Sequence, residues 1–234
     1  MTIPPRYAIY YAPSAGTALD RFGASLLGYD AWTGADFAFD AIVEAISDWQ
    51  EVTADARKYG FHATLKAPFG LVGGRTEDDL RATCAAFAAM PRPLPLIRPV
   101  VDAISGFIAV IPGDPSPELQ RLAADCVRAF EPFRAPLAAG DRARRKPERM
   151  TPRQIDYLDR FGYPYVMEEF RFHMTLTCRL DEGRRPSILA MLRERFAMLE
   201  LQRLSIDRIA LFKQDAVEAR FRIVESWQLT SATT

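Results

Sequence analysis

The chain has 234 residues, 49% of them hydrophobic and 26% charged, a composition that excludes a disordered or collagen-like polypeptide and suits a globular domain. Thirty basic side chains balance thirty acidic ones, which predicts no bulk attraction to nucleic acid or membrane, so any anion site must be local. Cys84, Cys126 and Cys178 are odd in number and widely spaced, which argues against a disulfide framework or structural zinc and for reduced, buried thiols.

Along the chain, the opening residues Met1 to Arg6 lack a secretory pattern and no apolar run approaches 18 residues, so a cytoplasmic protein without a membrane span is expected. Residues 7–12 (YAIYYA) read as a strand stopped by Pro13, and 15–27 as a helix ending near Gly28. Residues 37–49 mix loop with a short helix, and 59–66 (YGFHATLK) read as a strand closed by Pro68 and Gly70. A helix over 77–90 begins at the cap Thr76, strands follow over 96–101 and 106–111, and a second helix covers 116–130. Residues 131–152 form a Pro- and Arg-rich connector. Beyond it the pattern predicts a helix over 152–161, a strand over 170–180 (FRFHMTLTCRL), a helix over 186–199 and strands over 204–212 and 219–229. Each half thus contains strand, helix and a strand pair. The expectation is an internally duplicated α+β fold of mainly antiparallel sheet, with residues 1–234 as one bilobal domain around a central cleft.

The sequence Phe61-His62-Ala63-Thr64-Leu65 returns as Phe172-His173-Met174-Thr175-Leu176, and the two copies contain both histidines of the chain. Composition alone would produce the second copy about 3 times in 10,000, so chance is a poor explanation. On a strand, residues i and i+2 share a face, so each copy presents one imidazole and one hydroxyl while Phe and Leu point the other way into a hydrophobic layer. Two imidazoles about a phosphate apart suit cleavage of a phosphodiester. One takes a proton from the attacking oxygen and the other gives one to the leaving oxygen, and the hydroxyls of Thr64 and Thr175 hold the non-bridging oxygens. Two histidines without acidic neighbours supply too few ligands for a metal, so neither metal nor cofactor is expected.

Strand parity also puts Lys58 and Lys66 on the face of His62, and Arg171 and Thr177 on that of His173, as candidate anion ligands, with Tyr59 facing the other way. The connector residues Arg142, Arg144, Arg145, Lys146 and Arg149 form a basic cluster that can fold over a phosphate or remain a solvated loop, and Tyr163 and Tyr165 can stack on a base or sugar or pack against Pro164.

The paired His-x-Thr strands resemble the signature of the two-histidine (2H) phosphoesterase superfamily, which includes RNA 2′,3′-cyclic phosphodiesterases. The spacing and the duplicated layout fit as well. Residues 57–69 (RKYGFHATLKAPF), with 162–166 (GYPYV) and 172–176 (FHMTL), are similar to a bacterial branch often encoded in phosphonate-utilisation operons. The resemblance implies a 2H phosphoesterase fold, His62 and His173 as catalytic histidines and Thr64 and Thr175 as phosphate contacts, and the expected reaction is hydrolysis of a cyclic or 2′-linked phosphodiester of a small nucleotide- or ribose-derived molecule. It leaves open which histidine is the base. Two other readings remain at this point: a non-catalytic protein that binds a phosphorylated metabolite, and an enzyme acting on RNA ends. The expected partner is a small phosphorylated substrate, not extended nucleic acid or membrane. The oligomeric state is open, with a monomer the simplest expectation.

Overall fold

The computed structural model describes residues 5–232, so the reading of the N-terminus falls in part on residues outside the described ones. Seven strands make one sheet in which every neighbour is antiparallel: β1 (Arg6–Tyr11), β2 (Ala63–Gly70), β3 (Pro99–Ile104), β4 (Phe107–Pro112), β5 (Met174–Thr175), β6 (Arg208–Gln214) and β7 (Arg222–Gln228). Their spatial order is β7-β6-β1-β2-β5-β4-β3. The two halves of the α+β fold are therefore two wings of one sheet that meet where β2 lies beside β5. The hairpins are exchanged between the wings: β3–β4 follows β2 in the chain but flanks β5, while β6–β7 follows β5 but flanks β1.

Strand β1 shows why the sheet has two different faces. Tyr7, Ile9 and Tyr11 enter the large hydrophobic cluster, whereas Ala8 and Tyr10 enter a smaller one with Phe212, Phe221 and Ile223. The period of two makes each face a separate layer. The large cluster is completed by the apolar faces of three helices: Leu80, Cys84 and Phe87 of the helix Glu77–Ala89; Leu119, Leu122 and Cys126 of Pro117–Phe130; and Ile188, Leu192 and Phe196 of Arg185–Ala197. Each buried Leu or Phe contributes about 1.5–3 kcal/mol. Caps occur where the sequence places them. Thr76 closes a capping box with Asp79, Ser116 accepts from the Leu119 amide, and the helix Pro152–Phe161 opens on a box between Thr151 and Gln154. Among the described residues no helix is long and apolar enough to cross a membrane.

Several elements differ from the sequence reading; the expected strands over 96–101 and 204–212 are each split, and Leu96–Ile97 pairs with Leu204–Ser205 outside the main sheet. Residues 59–62 are not strand, because a helix over Ala54–Tyr59 ends at Gly60 and β2 begins at Ala63. Strand β2 continues through Pro68, which is tolerated because the register with β1 slips there and no ladder donor is needed. The 170–180 strand shrinks to Met174–Thr175: the Leu176 and Thr177 amides both turn onto the Ile108 carbonyl, at 2.9 and 3.3 Å, and the ladder stops. The connector is not irregular throughout, since it holds a short helix over Ala139–Arg144.

Candidate active site

Ala63 and Met174 form the residue pair that joins β2 to β5. They are the middle residues of the two FHxTL copies. An antiparallel register through that pair sets His62 opposite Thr175 and Thr64 opposite His173, all on one face, with the histidines on a diagonal roughly 7–8 Å apart at the backbone. On the other face Phe61, Ala63, Leu65, Phe172, Met174 and Leu176 all lie in the large cluster, as strand parity requires.

Both imidazoles are held in the same way. His62 Nδ1 is 2.8 Å from the Gly60 carbonyl and His173 Nδ1 is 2.7 Å from the Arg171 carbonyl, in each case two residues back. A carbonyl accepts only, so Nδ1 carries the hydrogen and Nε2 is left to take or give a proton. Thr64 Oγ1 lies 3.4 Å from His62 Nε2. The surroundings of the two rings differ. His62 stacks on Tyr10 at 3.9 Å between centroids, with Tyr59 and Phe212 each at 5.9 Å. Burial pushes its pKa down to about 4 against the opposing Gly60 carbonyl, and the charge of nearby His173 adds to the depression. His173 faces Phe107 at 5.5 Å and is lowered in the same direction by burial, with the Arg171 carbonyl opposing.

Gly60 earns its place by conformation. Its φ of 75° is in the region L side chains avoid, and an added Cβ would lie 2.7 Å from the Ala31 Cβ. Gly60→Ala should therefore cost about 1–3 kcal/mol and displace the carbonyl that holds His62. A thermal melt unchanged from wild type would contradict this.

A cleft of about 360 Å³ opens on this face, within the size range of small-molecule pockets. Thr64 and His173 line it, together with Phe107, Tyr163, Tyr165 and Arg171; His62 and Thr175 are not among its lining residues. Of the sequence candidates, Arg171 and Tyr165 thus border the cleft. Tyr165 packs edge-on to Tyr163 at 5.5 Å, and Arg145 reaches it indirectly, lying over the Tyr163 ring at 5.1 Å. Arg144 is exposed and pairs with Asp141, and Arg142 pairs with Asp159.

Neither lysine lies on the face of His62. Lys58 is in the last turn of the helix Ala54–Tyr59, outside any strand. In β2 the register with β1 runs Tyr10–Thr64 and then Ile9–Lys66, so an extra residue sits between Thr64 and Lys66. That bulge moves Lys66 off the face of His62. Its ammonium, 2% exposed, instead pairs with Glu131, which also binds Arg134 at 2.7 Å. Burial holds the Lys66 pKa below the usual lysine range even with that partner. Thr177 is likewise structural, accepting from the Ile108 amide at 3.0 Å and donating to the Cys178 carbonyl at 2.8 Å. Tyr59, assigned to the opposite face, closes the helix and stands beside the His62 ring.

Sequence reasoning missed Tyr10, Phe107 and Arg179. Arg179 lies beyond the end of β5, where strand parity no longer applies, and Tyr10 and Phe107 come from other strands, so nothing local announces any of the three. Among the described residues no group of three or more His, Cys, Asp or Glu is placed to hold a metal.

The fold and site define an antiparallel α+β protein with two His-x-Thr strands side by side, the arrangement implied by the two-histidine resemblance. Over residues 64–222 the chain matches the family described as "Protein of unknown function (DUF1045)", and it belongs to that family. Two curated relatives are named ribose 1,5-bisphosphate phosphokinase PhnN. The one from Janthinobacterium sp. (strain Marseille) is 39% identical over 183 residues, which is 74% of this chain and 38% of that protein. The one from Laribacter hongkongensis (strain HLHK9) is 32% identical over 237 residues, 98% of this chain and 53% of that protein. The chain thus spans about half or less of the length of the curated relatives it matches. Among solved structures, Escherichia coli LigT complexed with 3′-AMP aligns over 97% of this chain and 99% of that one, at 13% identity and a TM-score of 0.44. LigT complexed with NADP+ aligns over 97% and 98%, at 13% identity and a TM-score of 0.45.

Proposed function

We propose that this chain is a metal-independent phosphoesterase that opens a cyclic phosphodiester on a small ribose-derived metabolite. The observation that carries the reading is the diagonal pair of histidines, each fixed through Nδ1 with Nε2 left for proton transfer. In the reaction His62, kept neutral by its aromatic surroundings, accepts a proton from the water that attacks phosphorus. His173, on the open side, gives a proton to the ribose oxygen as the P–O bond breaks. Thr64 and Thr175 donate to the non-bridging oxygens, where charge builds up in the transition state.

The name of the curated relatives supports a ribose phosphate as product. Those proteins are longer, and none of the four lysines here follows a glycine, so a Gly-Lys-[Ser/Thr] phosphate loop has no place in these 234 residues. We assign the kinase step of the relatives to their remaining length, and to this part a hydrolysis that yields a ribose phosphate ester. A place in phosphonate metabolism, as the branch resemblance implies, is consistent with ribosyl cyclic phosphates as substrates.

The test is turnover of ribose cyclic phosphates and 2′,3′-cyclic nucleotides by the purified protein with and without EDTA. Activity unaffected by EDTA is expected; activity abolished by it and restored by a divalent ion would overturn the proton-carrier roles. The pH profile is a second check. The neutral base His62 and the protonated acid His173 coexist between their two pKa values, so kcat/KM should be bell-shaped. Its acid limb should fall near pH 4 and its alkaline limb below the ordinary histidine value of 6.5. Bound phosphate stabilises imidazolium, so the kcat profile should lie at higher pH than that of kcat/KM. A kcat/KM that still rises above pH 7 would contradict the assignment.

A further inference from the structure

Two arginines line the cleft, Arg171 and Arg179, and one carboxylate, Glu169, is among the described residues that share it. Glu169 is already engaged, by Arg153 at 2.6 Å and by the Gln154 amide at 3.0 Å. The cleft therefore has surplus positive charge in a chain whose formal net charge is zero. Both arginines project from fixed backbone. The Arg171 carbonyl receives the His173 Nδ1 hydrogen, and Arg179 is followed by Leu180, whose amide donates to the Gly106 carbonyl at 2.9 Å. That carbonyl belongs to the tight turn of the β3–β4 hairpin, where Ser105 and Gly106 have φ of 52° and 93°, and Ser105 lines the cleft as well. The aliphatic stem of Arg179 passes over this turn, its Cγ 3.9 Å from where a Gly106 Cβ would stand.

We propose that Arg171 and Arg179 form a second anion subsite, which binds a phosphomonoester on the same molecule whose cyclic phosphodiester lies at the histidines. The inference rests on the phosphoesterase reading and narrows it to a sugar with two phosphate groups. Two guanidinium forks lining one cleft, one on each side of β5 in the chain, suit a dianionic tetrahedral group with three terminal oxygens, whereas one fork already satisfies a carboxylate. The geometry agrees with the proton roles. His173 serves the leaving oxygen, which remains on the sugar, so the sugar occupies the cleft beside His173 and brings its second phosphate to the arginines.

The experiment compares binding and turnover in wild type, Arg171→Ala, Arg179→Ala and His62→Gln. In calorimetry wild type should bind ribose 5-phosphate at least tenfold more tightly than ribose, and each arginine variant should weaken ribose 5-phosphate by about 10–100-fold. His62→Gln should bind it like wild type while losing turnover. In kinetics, the kcat/KM preference for a ribose cyclic phosphate with a 5-phosphate over one without should fall by a similar factor in each arginine variant. Equal ribose 5-phosphate affinity in wild type and both arginine variants overturns the subsite, whatever the turnover. Loss of binding in those variants with full turnover in His62→Gln upholds the subsite and refutes the catalytic reading. 5′-AMP bound by wild type as tightly as ribose 5-phosphate, and weakened alike by both arginine substitutions, supports the subsite and extends the class to nucleotides.

Discussion

His62→Ala and His173→Ala should each lower the proposed cyclic phosphodiesterase activity by about two to four orders of magnitude, because each removes one of the two proton transfers that the proposal requires. The double variant should be little worse than the worse single one, since acid and base act as a unit. His62 is stacked on Tyr10 and flanked by Phe212, so its removal to Ala also opens a gap in a buried aromatic layer. His62→Gln fills most of that gap and accepts a hydrogen bond, but it cannot carry a proton at neutral pH. It should therefore melt close to wild type and still be inactive. Full activity in either single variant, or losses that multiply in the double, would refute a shared site.

Glu131→Ala should be the most damaging single change to stability outside the hydrophobic clusters. It leaves the Lys66 ammonium, almost wholly buried, without a partner, and it also frees Arg134. Breaking a fully buried pair in this way costs about 3–5 kcal/mol; Glu131 is about a quarter exposed, so about 2–3 kcal/mol is expected here. Lys66→Met should be far milder, within about 1 kcal/mol, because Glu131 keeps Arg134 and the methionine fills the space. It should also retain activity within a few-fold, as the bulge has moved Lys66 off the face of His62. Urea titrations of both variants, with an assay of the second, check the pair. A large activity loss in Lys66→Met would return Lys66 to the site.

Much of the fold was legible because its signals are local. The helix Pro152–Phe161 has a Thr cap, a proline in its first turn and a glycine at its end, and these signals mark its observed bounds. The FHxTL strands were legible through repetition, and the burial of their Phe and Leu residues agrees with simple alternation. What failed was extrapolation along a strand. Parity placed Lys66 and Thr177 beside the histidines, but it presumes an unbroken ladder. One strand contains a bulge and the other stops after two residues. Tyr10 and Phe107 lay beyond local reading for a different reason. They reach the histidines through strand pairing, and register between distant strands leaves no mark in either sequence.

The exchange of hairpins between the wings has a consequence for the timing of synthesis. Strand β1 emerges from the ribosome before the other strands of the sheet, yet one of its two neighbours is β6, and Arg6 is paired with Gln214 across 208 positions. Phe212, which flanks the His62 ring, arrives on that same late strand. An unfinished chain can assemble β2 against β5 and still lack one wall around the imidazole. Such distant pairings close slowly, so the aromatic setting of His62 should be complete only after the β6–β7 hairpin has left the ribosome. A nascent chain arrested before residue 208 would then carry both histidines and a partly built sheet, but not the finished setting of His62.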